Sequence, residues 1–109
     1  MQMKRSLTLE DLHRQTEVAI CIFAPSPTGG GWSCRWEIAW PDRTRTNEAH
    51  GADSVQATIL ALQSVGTELY NSAEHKSGKL FWIPGRKGYG FPVPHNVRDL
   101  LEGDDKISF

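Results

Sequence analysis

The sequence predicts a two-layer α+β domain: an antiparallel sheet of four to five strands with one long helix packed on one face. Three observations carry that expectation. Trp32 to Trp40 (WSCRWEIAW) alternates apolar and polar residues throughout, the period of a strand with one buried and one wet face. From Asp53 to about Ala73, apolar residues recur at steps of three and four, the period of an amphipathic helix. Between the periodic segments lie Pro- and Gly-rich turns.

Taken in order, Ser6-Leu7-Thr8-Leu9 reads as a first strand and Glu10 to Gln15 as its connection. Thr16 to Ala24 (TEVAICIFA) is rich in β-branched residues and reads as a second strand. Pro25 to Gly31 (PSPTGGG) is expected to be a flexible hairpin loop. In the third strand, Trp32, Cys34, Trp36, Ile38 and Trp40 share one face, and Ser33, Arg35, Glu37 and Ala39 share the other. Val18, Ile20 and Ile22 belong with the tryptophan face. That register places Cys34 inside and Cys21 outside, too far around the sheet to be bridged.

Pro41-Asp42 is a tight turn, and the polar Arg43 to His50 is expected to be an edge strand. Asp53 with Gln56 three residues later has the form of a capping box. The helix is expected to bury Val55, Ile59, Leu62, Gly66, Leu69 and Ala73, a stripe widened by Thr58, Val65 and Tyr70, with Gly66 set against a bulky ring such as a tryptophan. His75 to Gly78 closes the helix. Lys79 to Ile83 is a last strand, giving the order β-β-β-β-α-β, and Arg86 to Pro94 is an irregular segment. Residues 1–103 are expected to form the single domain, and 104–109 a frayed tail.

Composition limits the function. The chain has 109 residues, 39% hydrophobic and 23% charged, with a formal net charge of −1. Mean hydropathy is −0.44. This is one globular domain, with no strong field to gather nucleic acid or an anionic membrane. No apolar run approaches the roughly 18 residues of a membrane span. No apolar stretch follows the basic start Met1-Gln-Met-Lys-Arg-Ser before Asp11, His13, Arg14 and Glu17. No signal peptide is therefore expected; the setting is cytoplasmic and both cysteines reduced.

Several short pieces resemble a small bacterial domain family with no assigned function. They are Arg5-Ser-Leu-Thr-Leu9, Ala24-Pro-Ser-Pro27, Trp32-Ser-Cys34, Gly51-Ala-Asp-Ser-Val-Gln-Ala57 with Leu60-Ala-Leu62, Leu80-Phe-Trp82 and Gly90-Phe-Pro92. Gly-x-Asp-Ser-Val-Gln-Ala is the most specific. The resemblance implies the fold and a bacterial cytosolic setting, and supplies no catalytic residues. In size and simplicity the chain is similar to immunity or antitoxin-like proteins, by analogy alone.

Chemistry is sparse. His13, His50, His75 and His95 show no metal-ligand spacing, so neither a metal nor another cofactor is expected. Cys34 between tryptophans reads as core rather than as a nucleophile. The carboxylate pairs Glu10-Asp11 and Asp104-Asp105 read as solvated. Gly85 to Gly90 (GRKGYG) has the makings of an anion nest but lacks a phosphate-loop pattern and a following helix.

The first expectation is therefore a non-enzymatic module that binds and occludes a partner protein. Its surface would be a wet sheet face with Phe23, Arg35 and Glu37, joined by Arg43 and Arg45 if the Pro41-Asp42 turn sets that register. Arg86, Lys87 and Tyr89 would form a second surface. One alternative is RNA or single-stranded DNA binding through the basic edge. The other is a small-ligand pocket between helix and sheet, lined by Trp36, Trp82 and Tyr70. Monomer and homodimer both remain open.

Overall fold

The computed structural model describes residues 2–109; Met1, which opens the basic start, lies outside the described residues. Five strands come first: β1 (Gln2–Asp11), β2 (Arg14–Phe23), β3 (Ser26–Thr28), β4 (Gly31–Trp40) and β5 (Arg43–Gly51). Then come α1 (Ser54–Asn71), α2 (Ala73–Lys76) and β6 (Leu80–Phe81). A 3-10 segment (His95–Leu100) and α3 (Asp104–Ser108) complete the chain. The fold is the α+β class that the sequence predicts, with six strands in one antiparallel sheet.

Local chemistry explains each boundary. Asp53 caps α1 by accepting from Gln56 N–H at 2.8 Å, and Gln56 Oε1 accepts from Ala52 N–H at 2.6 Å. The second bond reaches one residue before the cap, so the capping box is slightly extended. Ser72 ends α1 and its hydroxyl caps α2 at His75 N–H, which stops the long helix two residues short of Ala73. The Pro25 to Gly31 segment is not a flexible loop: β3 pairs with β4, leaving Gly29-Gly30 as the turn. From Ile22 to Ser26 the chain takes four steps while its partner takes three from Trp36 to Ser33. The extra residue is a β-bulge, and Pro27 is tolerated because β3 is an edge here.

The tryptophan face is buried. Trp36 is 2% exposed and Trp40 5%, and Cys34, Ile38, Val18 and Ile20 are fully covered. Burial of an aromatic side chain removes on the order of 150–250 Å² from water, worth about 4–6 kcal/mol each. Cys34 is inside and Cys21 lies on the other face, both free.

The α1 stripe matches the expected one over Val65, Gly66, Leu69 and Tyr70 and departs from it toward the N-terminus. Ala57, Ala61, Val65, Gly66, Leu69 and Tyr70 face inward, whereas Val55 and Ile59 are exposed. The small Ala57 and Ala61 let α1 lie close over β4 and β5. The helix does not extend over β1 and β2. Their inner face is covered by the irregular segment after β6, which buries Tyr89, Phe91 and Val93, with Leu101 behind them.

Gly66 is where that segment crosses α1. A Cβ there would collide with the backbone oxygen of Pro92 and press on Val93, so the close neighbour is a main chain and not a tryptophan ring. Residues 104–109 are not frayed: α3 is ordered and Asp105 is 2% exposed.

Gly66→Ala therefore sets two effects against each other. Helix propensity favours Ala by about 1 kcal/mol, and the clash with rigid backbone costs about 1–3 kcal/mol or more. Net destabilisation is expected in urea unfolding; a stabilised variant would show that Pro92 yields freely.

Candidate functional site

The inner face of β1 runs Met3, Arg5, Leu7, Leu9, opposite Ile22, Ile20, Val18 and Thr16 of β2. Arg5 is thus a charged residue on the apolar register, in the gap between α1 and the tail. Its Nη1 donates to Tyr89 O at 3.1 Å and to Gly90 O at 2.9 Å. The guanidinium stacks on Trp82 at 4.0 Å and on Phe91 at 4.9 Å. Burial pulls its pKa below the ordinary value, and the charge of Asp105 acts in the opposite sense. Even so, an arginine this far from neutral pH stays a cation.

Asp105 holds the other side of the same two residues. Its carboxylate accepts from Tyr89 N–H and Gly90 N–H, both at 2.8 Å, and from Tyr70 O–H at 2.7 Å. Gly90 has φ +73°, and a Cβ on it would strike Trp82 and lie 2.6 Å from Arg5 Nη1. Only glycine lets the segment pass between them.

Beside this clamp lies an open cleft of about 500 Å³. Ile20 and Ile22 line it from the sheet, Ile59, Leu62 and Gln63 from α1, and Phe91 and Pro92 from the tail. Arg5 forms part of its wall, and Met3 and Phe109 stand at its rim, 49% and 44% exposed. Trp36, Trp82 and Tyr70, expected to line a pocket between helix and sheet, do not line this one. Trp36 and Tyr70 belong to the closed core, and Trp82 lies against Arg5.

A second feature resembles a relay. His75 Nε2 lies 2.9 Å from Glu102 Oε2, and His75 Nδ1 meets the Tyr89 hydroxyl. Carboxylate, imidazole and hydroxyl in series is the arrangement that activates a nucleophile. Here Tyr89 is 3% exposed, and burial, with Glu102 and Asp105 nearby, raises its pKa. Tyr89 therefore keeps its proton at neutral pH, and its hydrogen bond with His75 Nδ1 ties the tail to α2. Cys34 is fully covered, and burial pushes its thiol up as well.

The residues singled out from sequence do not come together. Phe23, Arg35 and Glu37 share the open sheet face, where the Arg35 guanidinium stacks on Phe23 at 4.7 Å. Arg43 and Arg45 are on the opposite face. The two-residue turn pairs Trp40 with Arg43 and Ile38 with Arg45, and cross-strand partners share a face. There Arg43 holds Glu74 at 2.9 and 3.1 Å, and Arg45 holds Glu68 at 2.7 Å. The Arg43 guanidinium keeps the Glu74 carboxyl below its ordinary pKa. Arg86 pairs with Asp104 at 3.2 Å, Lys87 is exposed, and Tyr89 is buried and cannot serve a surface. Asp105, expected to be solvated, is the buried anion of the clamp.

Among the described residues no three His, Cys, Asp or Glu side chains gather as metal ligands, and no helix is long and apolar enough to cross a membrane. The sequence reading missed Arg5 because it began the first strand at Ser6; extending the alternation back through Met3 would have placed a cation in an apolar row.

A family model for a domain of unknown function, DUF6968, matches residues 3–93. The chain belongs to that family. No curated protein and no solved structure matches it significantly. The DUF6968 match takes in Arg5 and all of the cleft lining named above except Phe109, and stops before Glu102 and Asp105.

The two buried phenols set an alkaline limit. Burial, with the Asp105 hydrogen bond, raises Tyr70, and burial raises Tyr89, both above their ordinary value of 10.0. Above that pH the unfolded chain loses both protons while the folded chain keeps them, so ionisation favours unfolding. Stability should hold below about pH 10 and fall as pH rises beyond it. Ultraviolet difference titration should show both tyrosines ionising only with unfolding, and Tyr70→Phe should flatten the decline.

Proposed function

We propose that this domain binds a small molecule with an apolar body in the cleft between β1–β2 and α1. The observation that carries the reading is the cleft itself. Its volume of about 500 Å³ lies within the usual range for ligand sites, about 300–1,000 Å³. Its walls are mostly aliphatic and aromatic, and Met3, Ile59 and Phe109 stand half-exposed around it. Large apolar side chains grouped at one opening are a feature of binding surfaces. A cytoplasmic setting fits the two unbridged thiols.

Occlusion of a partner protein, in the manner of an immunity protein, is the second reading. It is favoured by the Phe23–Arg35 stack beside Glu37 on the open face. It loses Arg43, Arg45 and Tyr89, which lie elsewhere, and so rests on a smaller patch than the sequence suggested. Nucleic-acid binding is less supported, because Glu74 and Glu68 neutralise the two arginines of β5.

Nile red, an uncharged dye that brightens in apolar surroundings, tests the first reading. The wild-type protein should raise its emission saturably. Ile59→Trp, placed at an exposed lining position, should fill the opening and remove most of that rise. Its Tm should move by less than about 4 °C, as for a surface substitution. A wild-type protein that leaves the dye dark and binds no smaller apolar probe would end the small-ligand reading.

A further inference from the structure

The cleft wall carries one feature that an apolar ligand alone does not explain. Arg5 lines it, half-buried, and among the described residues no carboxylate lies within ion-pair distance of its guanidinium. A guanidinium has five N–H donors. The bonds to Tyr89 O and Gly90 O are both made by Nη1. Nε–H and the two N–H of Nη2 have no acceptor among the described residues. Asp105, the nearby anion, spends its two oxygens on Tyr89 N–H, Gly90 N–H and Tyr70 O–H.

The remaining Nε–Nη2 edge presents two parallel donors, the fork that a carboxylate fills with two oxygens. Trp82 and Phe91 hold the guanidinium by stacking, and the two carbonyls fix its third nitrogen. The group is therefore oriented before any ligand arrives. Lys4, which also borders the cleft, is on the opposite face of β1, 3.7 Å from Glu17. Arg5 is thus the cation available to the cleft's interior.

From this we infer that the ligand is an organic acid with an aliphatic or aromatic body, its carboxylate on the Nε–Nη2 edge of Arg5 and its body against Ile20, Ile22, Ile59, Leu62 and Phe91. The inference rests on the small-ligand reading above and adds the charge of the ligand to it. Arg5 is the specificity-determining residue: the apolar walls accept many bodies, and the fork selects the anion.

Decanoate and decanol, below the micelle concentration of the former, share one body and differ in the headgroup. Binding of each to the wild-type protein is measured by calorimetry, and the Arg5 Nε–Hε resonance is followed by NMR. Decanoate is expected to bind about ten-fold or more tightly than decanol, the worth of a charge-assisted pair of bonds, and to move the Arg5 resonance. Arg5→Met should bring decanoate down to the level of decanol, and Arg5→Lys should recover only part of the difference. Equal binding of the two probes, or an unmoved Arg5 resonance at saturation, overturns the inference and leaves the cleft reading standing. Nile red brightening with no decanoate binding does the same, whereas failure of all three probes removes both. If Arg5→Met does not fold, the wild-type comparison decides alone.

Discussion

Two side chains of opposite charge hold one irregular dipeptide, and much of the domain depends on that grip. Asp105 takes the N–H groups of Tyr89 and Gly90, and Arg5 takes their carbonyls. A buried backbone outside helix or sheet must satisfy its polar groups somewhere, or lose about 1–3 kcal/mol for each one left alone. Here all four are satisfied by residues 84 and more positions apart on one side and about 15 on the other. The first and last parts of the chain are thereby tied through its least regular segment. That segment can then act as core, delivering Tyr89, Phe91 and Val93 to the inner face of β1 and β2.

The cleft follows from how the inner face is shared. α1 covers β4 and β5, held close by Ala57 and Ala61; Arg45–Glu68 latches α1 to β5 and Arg43–Glu74 latches α2. Exposed ion pairs are worth about 0–1 kcal/mol each, so packing supplies the attachment and the pairs mainly fix register. The tail covers β1 and β2. Helix and tail touch at Gly66, where the missing side chain lets Pro92 approach. Beyond that crossing they diverge, and the apolar floor of Ile20 and Ile22 stays open to a ligand.

Most of the frame could be read from the sequence because it rests on strong periodicity. The alternation in WSCRWEIAW and the Asp53 cap depend on neighbours in the chain, and both stand. The errors share a cause: they concern what the tail does, and the tail has no period. Val55 and Ile59 were placed in the core because the helix pattern alone cannot show that nothing covers that end. Gly66 was matched to an indole because a backbone partner leaves no mark in composition. Asp105 reads as a solvated acid in a polar run, and its burial depends on an irregular segment that passes beside it at Gly88 and Gly90, both at positive φ. The two-residue Pro41-Asp42 turn by itself places Arg43 opposite Trp40 and Arg45 opposite Ile38, on the buried face, a register that was legible in the sequence and left open.

Arg5 gives the structural and binding roles a common origin. A cation brought into an apolar wall is costly, and the fold offsets that cost through two carbonyls, two aromatic rings and the distant charge of Asp105. These contacts engage one nitrogen and the faces of the group, leaving its other edge without a protein partner. Association normally requires ordering a flexible arginine and stripping its water, which weakens binding. In this domain the ordering has already occurred during folding, as part of closing the tail over the sheet, so on the proposed reading an anion entering the cleft would meet an oriented fork. On the same reading, a ligand held by Arg5 would also restrain Tyr89 and Gly90, and through Asp105 the packing of α3.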